Sequence, residues 1–473
     1  MVGGAGGGGD DVTSPGDGTA PIAPVAVTGG AGGTAAYYDD MDTAAGLVAD
    51  VSEDVLSLAA SCHAMLVDPH VVAAAPLDPA GAARFEAGLA RALAGERGLS
   101  RTGVRLGASA VRLRAAVLTY RTVDELQARS LDAAELVGGP ALMLDTLVVL
   151  GGGTAGRMLH GESVGAALQR VITDHPGLVD RMTGSVPGTI GCLAALSPLT
   201  ALTLGLPTTV RQGAALIGGL YPDGIPEVAD LGADDSSTGR KAPCNVTDLL
   251  VALERCSAGG PGEVDVRVVR KRMPDGAVQR AYIVDIPGTK VWNLPGPSPA
   301  VNDTGTNLRA LGNETSAYQR GIDEALARAG AGPGDPVMLV GHSQGGIVAA
   351  HAARDFVQAV KYSVTHVVTA GSPVAQADVP PSVQVLSIEN RHDIVPRLDA
   401  RDNPDAANRV TVTVDRQNGS VGANHSLARV YVPAAAGVDQ SSDPSVRAYV
   451  DSAARFLGGD TVITWKFRVV RRP

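Results

Sequence analysis

The chain is 473 residues long, 45% apolar, 19% charged and only 3% aromatic, enough for a large buried core and too long for one ordinary domain. Its 59 glycines and 30 prolines follow no Gly-X-Y period, which excludes a collagen-like fibre. A net charge of −10 speaks against nucleic acid as a partner, because that needs a basic stripe. Four cysteines without C-x-x-C pairing make neither a disulfide framework nor a structural zinc site.

Residues 1–36 contain no Lys or Arg and no sustained apolar run, so they lack the parts of a secretory leader. Their Gly, Ala and Asp content predicts a disordered tail. Location is then cytoplasmic, or exported by a route that needs no such leader. Residues 37–133 read as a helical domain. Leu47, Val51, Val55 and Leu58, then Leu89 and Leu93, then Val104, Leu106, Val111, Leu113 and Val117 recur at helical spacing. Asp78-Pro79 and Gly98-Leu99-Ser100 mark helix starts.

Residues 134–222 form a more apolar, Gly-broken segment with helices expected at 164–173 and 210–220. From Met182 to Val210 it carries no charge, but Pro187, Pro198 and Pro207 interrupt it. A spanning helix needs about 20 strongly apolar residues, so a cap or a membrane-surface contact fits better than a span. A polar linker is expected over 223–241.

The pattern then changes. Short β-branched runs at 264–269, 281–286, 337–340, 363–369, 383–388 and 410–414 alternate with helical stretches at 246–255, 315–329, 347–360 and 445–456. Such alternation predicts a mostly parallel sheet covered by helices on both faces, one α/β domain over 242–473.

At this glycine content motif counting decides nothing. Gly161-Glu-Ser163-Val-Gly165 and Gly341-His-Ser343-Gln-Gly345 both satisfy G-x-S-x-G, and Gly151–Gly156 satisfies G-x-G-x-x-G. Context discriminates. Only Ser343 lies between a buried strand, Pro336–Val340, and a helix opening at Gly346, the strand–turn–helix of a nucleophile elbow. Ser163 has no such strand, and Gly151–Gly156 has no second strand ending in an acidic residue for a dinucleotide ribose.

A serine hydroxyl needs a base, and the base a carboxylate to orient it. In this fold class they follow the serine in the order Asp or Glu, then His. Asp393 follows the 383–388 strand, with Asp399 and Asp402 as substitutes. His425 follows the 410–414 strand. His392 abuts Asp393 and should point away from it, while His351 and His366 read as packed residues. For the oxyanion, the Gln344 N–H directly follows the nucleophile. Thr289, with Gly288 next, lies in the turn after the 281–286 strand.

Together Asp285-Ile-Pro-Gly-Thr289, Gly341–Gly346, Gly371-Ser-Pro373, Asn390–Pro396 and His425 resemble the α/β-hydrolase superfamily, closest to class 3 lipases and related deacylases. The resemblance spans 242–457; Pro287 stands where such lipases often carry a basic residue. It implies Ser343 as nucleophile, Asp393 as orienting acid, His425 as base, and Thr289 with Gln344 as oxyanion donors. It implies an acyl-ester or lipid substrate and no metal or organic cofactor. The 292–312 loop is a second cap candidate. A fainter resemblance links Tyr120-x-x-x-Asp124, at the end of a helical pair, to the export motif of actinobacterial type VII secretion substrates. The alternatives are an interaction protein acting through its helical half, a nucleotide enzyme using Gly151–Gly156, or a thioesterase or acyltransferase with the same triad.

Overall fold

A computed structural model describes residues 20–95, 97–119, 210–236, 241–293, 295–399 and 401–472. Among the described residues nine strands form one sheet: β1 (Pro24–Gly29), β2 (Ile225–Ala233), β3 (Glu263–Arg272), β4 (Val278–Ile286), β5 (Pro336–His342), β6 (Ser363–Ala370), β7 (Gln384–Asn390), β8 (Arg409–Val414) and β9 (Thr461–Arg472). They lie side by side in the order β1-β8-β7-β6-β5-β4-β3-β9-β2. The five strands β4 to β8 run parallel, and the flanking pairs are antiparallel.

Strand residues alternate between two cores because successive side chains leave opposite faces. In β5, Val337 and Leu339 join the helices Thr304–Leu311, Ala317–Arg328 and Gln344–Gln358. Met338 and Val340 join Val246–Ser257, Val432–Asp439 and Pro444–Ser452 on the other face. Both faces are sealed, which is why the parallel strands read as continuous apolar runs. This is the α/β-hydrolase fold expected for the C-terminal half. Parallelism also sets function: the turns after β4, β5, β7 and β8 all emerge at the strands' carboxyl ends, where open α/β sheets build their sites.

Three expectations need correction. Residues 24–29, assigned to a disordered tail, form β1 and pair antiparallel with β8. Residues 225–233, assigned to a linker, form β2 against β9, so the sheet begins before residue 242. β9 itself was not anticipated. Both β1 and β2 lie at sheet edges and bury only one residue each, Gly29 and Val228. They therefore lack the apolar alternation by which a strand is recognised; ladder hydrogen bonds to β8 and β9 hold them instead.

Residues 32–134, with 405–407, make a second compact unit. Its described part is helical, as expected: Thr34–Ala64, Pro79–Ala94 and a helix over 99–119. The Asp78 side chain caps the second, accepting from the Gly81 N–H at 2.9 Å, with Pro79 at the first helical position. Leu93 and Val117 are buried, whereas Leu47, Val51, Leu58, Val104 and Val111 are exposed. Tyr37–Ala74 is long and apolar enough to cross a membrane by length and composition. Tyr120, Asp124, Gly151–Gly156, Ser163 and most of the 134–222 segment lie outside the described residues. The described end of that segment is a helix, Val210–Gly218.

Candidate active site

Ser343 sits between the end of β5 and the first residue of the helix Gln344–Gln358, at φ 56° and ψ −126°. A left-handed φ on a non-glycine residue costs about 1–3 kcal/mol and persists only where its surroundings enforce it. The enforcement is visible. A Cβ on Gly341 would lie 2.3 Å from the Gly345 carbonyl carbon, and one on Gly345 would lie 1.9 Å from the Ile286 oxygen. Helix, β5 and β4 thus touch backbone to backbone, and larger residues at either position would force them apart. The Ser343 N–H donates to the Ala370 carbonyl at 3.0 Å, tying the turn to β6.

Asp393 lies in the turn after β7 and is fully buried. Its Oδ1 accepts the Val395 N–H at 3.0 Å. Its Oδ2 accepts His425 Nδ1–H at 2.6 Å and the Tyr431 hydroxyl at 2.5 Å. The bond to Asp393 places a proton on Nδ1 of His425, leaving Nε2 with its lone pair in the neutral ring. His425 follows a single helical turn, Val421–Asn424, capped by Ser420, rather than leaving an open loop. Asn424 anchors that turn by donating to the His392 carbonyl at 3.0 Å.

Two residues here carry no role in the sequence reading. His342 donates from Nε2 to the His425 carbonyl at 3.0 Å and stacks on its ring at 4.6 Å. A carbonyl only accepts, so that nitrogen holds the proton. Burial, with His425 alongside, drives the His342 pKa well below the usual imidazole range, so it stays neutral. The other is Tyr431, at the end of a π-helical turn, Leu427–Tyr431. Position offered a clue to His342, next to the serine, but Tyr431 carried only the signal of a core aromatic.

The remaining histidines behave as read. His392 turns away from Asp393 to Asp415 at 2.8 Å. His351 and His366 are buried, the latter between Tyr449 and Phe456, and burial lowers both to about 4. The substitute Asp399 is pinned elsewhere, accepting the Ala375 N–H at 2.8 Å.

On the far side of Ser343 lies the turn after β4. A Cβ on Gly288 would approach the Ser343 Cβ to 2.9 Å, so this backbone passes directly beside the hydroxyl. Asn302 holds the turn, donating to the Gly288 carbonyl at 3.2 Å, while its own carbonyl accepts the Lys290 N–H at 2.9 Å. The Thr289 hydroxyl bonds the Asn307 amide at 3.1 Å, and Gln344 Nε2 donates to Asn307 Oδ1 at 2.8 Å and to the Asp303 carbonyl at 2.7 Å. Asp303 caps the helix Thr304–Leu311 and is held from below by Arg471 in a buried ion pair at 2.7 Å. As the first residue of its helix, Gln344 has no intrahelical partner for its N–H.

Ser343 and His425 open onto one cavity of about 520 Å³. Leu308, Leu311, Ile347, Leu398 and Leu427 line it, and Trp292, 78% exposed, stands at its edge. The volume suits a small-molecule site. The 292–312 loop does contribute to its wall. The helix Val210–Gly218 packs on that wall from outside: a Cβ on Gly312 would lie 2.9 Å from the Ala215 backbone. The described end of the 134–222 segment thus packs on the helix Thr304–Leu311, whose Leu308 and Leu311 line the cavity.

Residues 310–442 match the PGAP1-like alpha/beta domain family. The C-terminal half has the α/β-hydrolase fold. Two solved structures are also similar to it. One is the Pyrobaculum calidifontis esterase in its monoclinic form, at 13% identity and TM-score 0.21, covering 44% of this chain and 92% of that one. The other is the hyperthermophilic esterase from the archaeon Pyrobaculum calidifontis, at 12% identity and TM-score 0.19, with the same coverage. No curated protein matches the chain.

Proposed function

We propose that this domain is a serine hydrolase of carboxylic acyl esters, lipase-like in its apolar acyl site, working through an acyl-enzyme. His425 Nε2 takes the Ser343 proton as the hydroxyl oxygen attacks the substrate carbonyl carbon. The tetrahedral oxyanion is received by the backbone N–H groups of Gln344 and Thr289. The imidazolium, held by Asp393, then protonates the leaving alkoxide and the acyl-enzyme forms. Water repeats the sequence in reverse roles and frees the acid. Oxyanion donors of this kind contribute on the order of 3 kcal/mol each to the transition state.

The observation that carries this reading is the 2.6 Å His425–Asp393 bond beside a serine held at positive φ on the same cavity. A solvent-facing serine in a Gly-rich turn explains neither the backbone conformation nor the buried carboxylate. The apolar lining supports an acyl chain as the group recognised.

Turnover of p-nitrophenyl esters of increasing chain length tests both parts. The expected result is hydrolysis rising towards medium or long chains, lost in Ser343→Ala and retained in Ser163→Ala. Activity confined to acetate esters would count against the lipase-like version. Full activity in Ser343→Ala would remove the mechanism.

A further inference from the structure

The Asp393 carboxylate is asked to do more than hold an imidazole. Its Oδ2 receives two donors at once, His425 Nδ1–H at 2.6 Å and the Tyr431 hydroxyl at 2.5 Å. Tyr431 is fully buried, its ring lies 5.8 Å from His342 and 6.4 Å from His425, and both pairs are tilted or edge-on. We propose that Tyr431 is a positioning residue for the reaction, a fourth member of the charge network that acts through Asp393 to set the strength of its bond to His425. The proposal rests on the catalytic reading of Ser343, His425 and Asp393 and goes one step behind it.

Local structure is arranged to deliver that hydroxyl. The chain after His425 makes a π-helical turn in which both Val430 and Tyr431 N–H groups reach the Ser426 carbonyl, at 3.0 and 3.4 Å. Such a turn inserts one residue and rotates the following side chain relative to an α-helix. Across from it, Gly371 at φ 60° leaves the space the phenol occupies: a Cβ there would lie 2.7 Å from the Tyr431 oxygen. The glycine makes room for the hydroxyl itself and for the ring edge that carries it. Burial and the neighbouring Asp393 charge hold the phenol well above its usual pKa, so it remains a donor. Its proton stays on the tyrosine throughout; no bond is made or broken there.

The chemistry follows from sharing one acceptor. A carboxylate oxygen that already accepts a phenol proton has less electron density for the imidazole, so the Asp393–His425 bond is weaker than Asp393 alone would make it. Two donors on one oxygen also fix the carboxylate plane, and hence the direction in which His425 Nε2 faces Ser343. Oδ2 of this carboxylate receives His425 and Tyr431 and its Oδ1 the Val395 N–H, while His342 reaches it only through its bond to the His425 carbonyl, and Glu389 is the next charge felt by Tyr431.

Two substitutions with opposite expected signs test this. In Tyr431→Phe the Asp393–His425 bond should strengthen, moving the low-field proton resonance of His425 Nδ1–H further downfield. Ser343 labelling by a fluorophosphonate should slow about tenfold, the order expected when one charged hydrogen bond is lost. Replacing Tyr431 by 3,5-difluorotyrosine keeps the ring and its packing but makes the phenol a stronger donor, and the same resonance should move upfield. This second protein decides the matter even if the first does not fold. A resonance unmoved in either substituted protein, or moved the same way in both, overturns the proposal. Resonances moving as expected in a chain that no fluorophosphonate labels would leave the network standing and sink the hydrolase reading. Labelling without any movement would do the reverse.

Discussion

The two sides of Ser343 are built from different materials. On the imidazole side the groups are mainly side chains: His425 and Tyr431 bond Asp393 at 2.6 and 2.5 Å, and His342 bonds the His425 carbonyl at 3.0 Å. On the opposite side the neighbour is backbone, the turn through Gly288 that leads to Thr289, with the Gln344 N–H next in the chain after Ser343. Asn302 and Asn307 stand behind and hold the chain in place. Proton transfer needs a group of tunable basicity, which only side chains offer. Oxyanion binding needs fixed dipoles, which the backbone supplies without rotamer entropy. Substitutions on the two sides should therefore fail differently.

The largest effect is expected at Asp393. In Asp393→Asn the amide NH2 can donate to Nδ1 and fix the wrong tautomer, and the neutral group cannot hold a developing imidazolium, so kcat should fall by about 10⁴ with KM little changed. Steady-state kinetics on a folded variant would show it, and a fall of less than tenfold would break the proposed division. Next comes Gly288→Ala. The added methyl meets the Ser343 Cβ at 2.9 Å, displacing the turn that carries the Thr289 N–H, and kcat should drop by about 10²–10³. An undisturbed rate there would show that the turn after β4 contributes no donor.

Asn307→Ala comes third. It removes a brace rather than a donor, leaving Gln344 Nε2 with the Asp303 carbonyl alone. A loss of about tenfold in kcat is expected, in line with one hydrogen bond, and unchanged serine labelling at saturating probe. The smallest effect separates a neighbouring carboxyl from Asp393. Glu389 lies in β7 four residues before Asp393, and burial near Asp399 and Asp402 pushes it from 4.5 up to about 7. Its protonated form is favoured in the folded chain. Stability should therefore be highest below about pH 4.5 as far as this group is concerned, declining as pH rises towards 7. Glu389→Gln should remove that decline in thermal melts across the interval and leave labelling of Ser343 intact. A melt profile unaltered by the substitution would show Glu389 to be ionised without penalty.

The same contrast explains what could be read in advance. That Ser343, Asp393 and His425 come together was legible because each follows a β-branched strand, and parallel strands end on one side. The central strands were legible for the same reason: Val337–Val340 and Ser363–Thr369 are buried on both faces. Thr289 was reachable only as the turn after β4, and its brace Asn307 gave no signal, since nothing in sequence distance links residue 307 to residue 344. Tyr431 lies six positions past His425 in an apolar run and reads as core. Its role depends on a π-helical turn and on the gap at Gly371, both products of tertiary packing. The edge strands β1 and β2 were illegible because they bury almost nothing, so their place is set by pairing rather than by pattern.

The most direct test is to label the intact chain with a fluorophosphonate and locate the adduct by peptide mass mapping. One adduct per chain is predicted, on Ser343, absent from Ser343→Ala and slowed by orders of magnitude in His425→Ala. An adduct on Ser163 or any other residue, or undiminished labelling without the imidazole, would contradict the account.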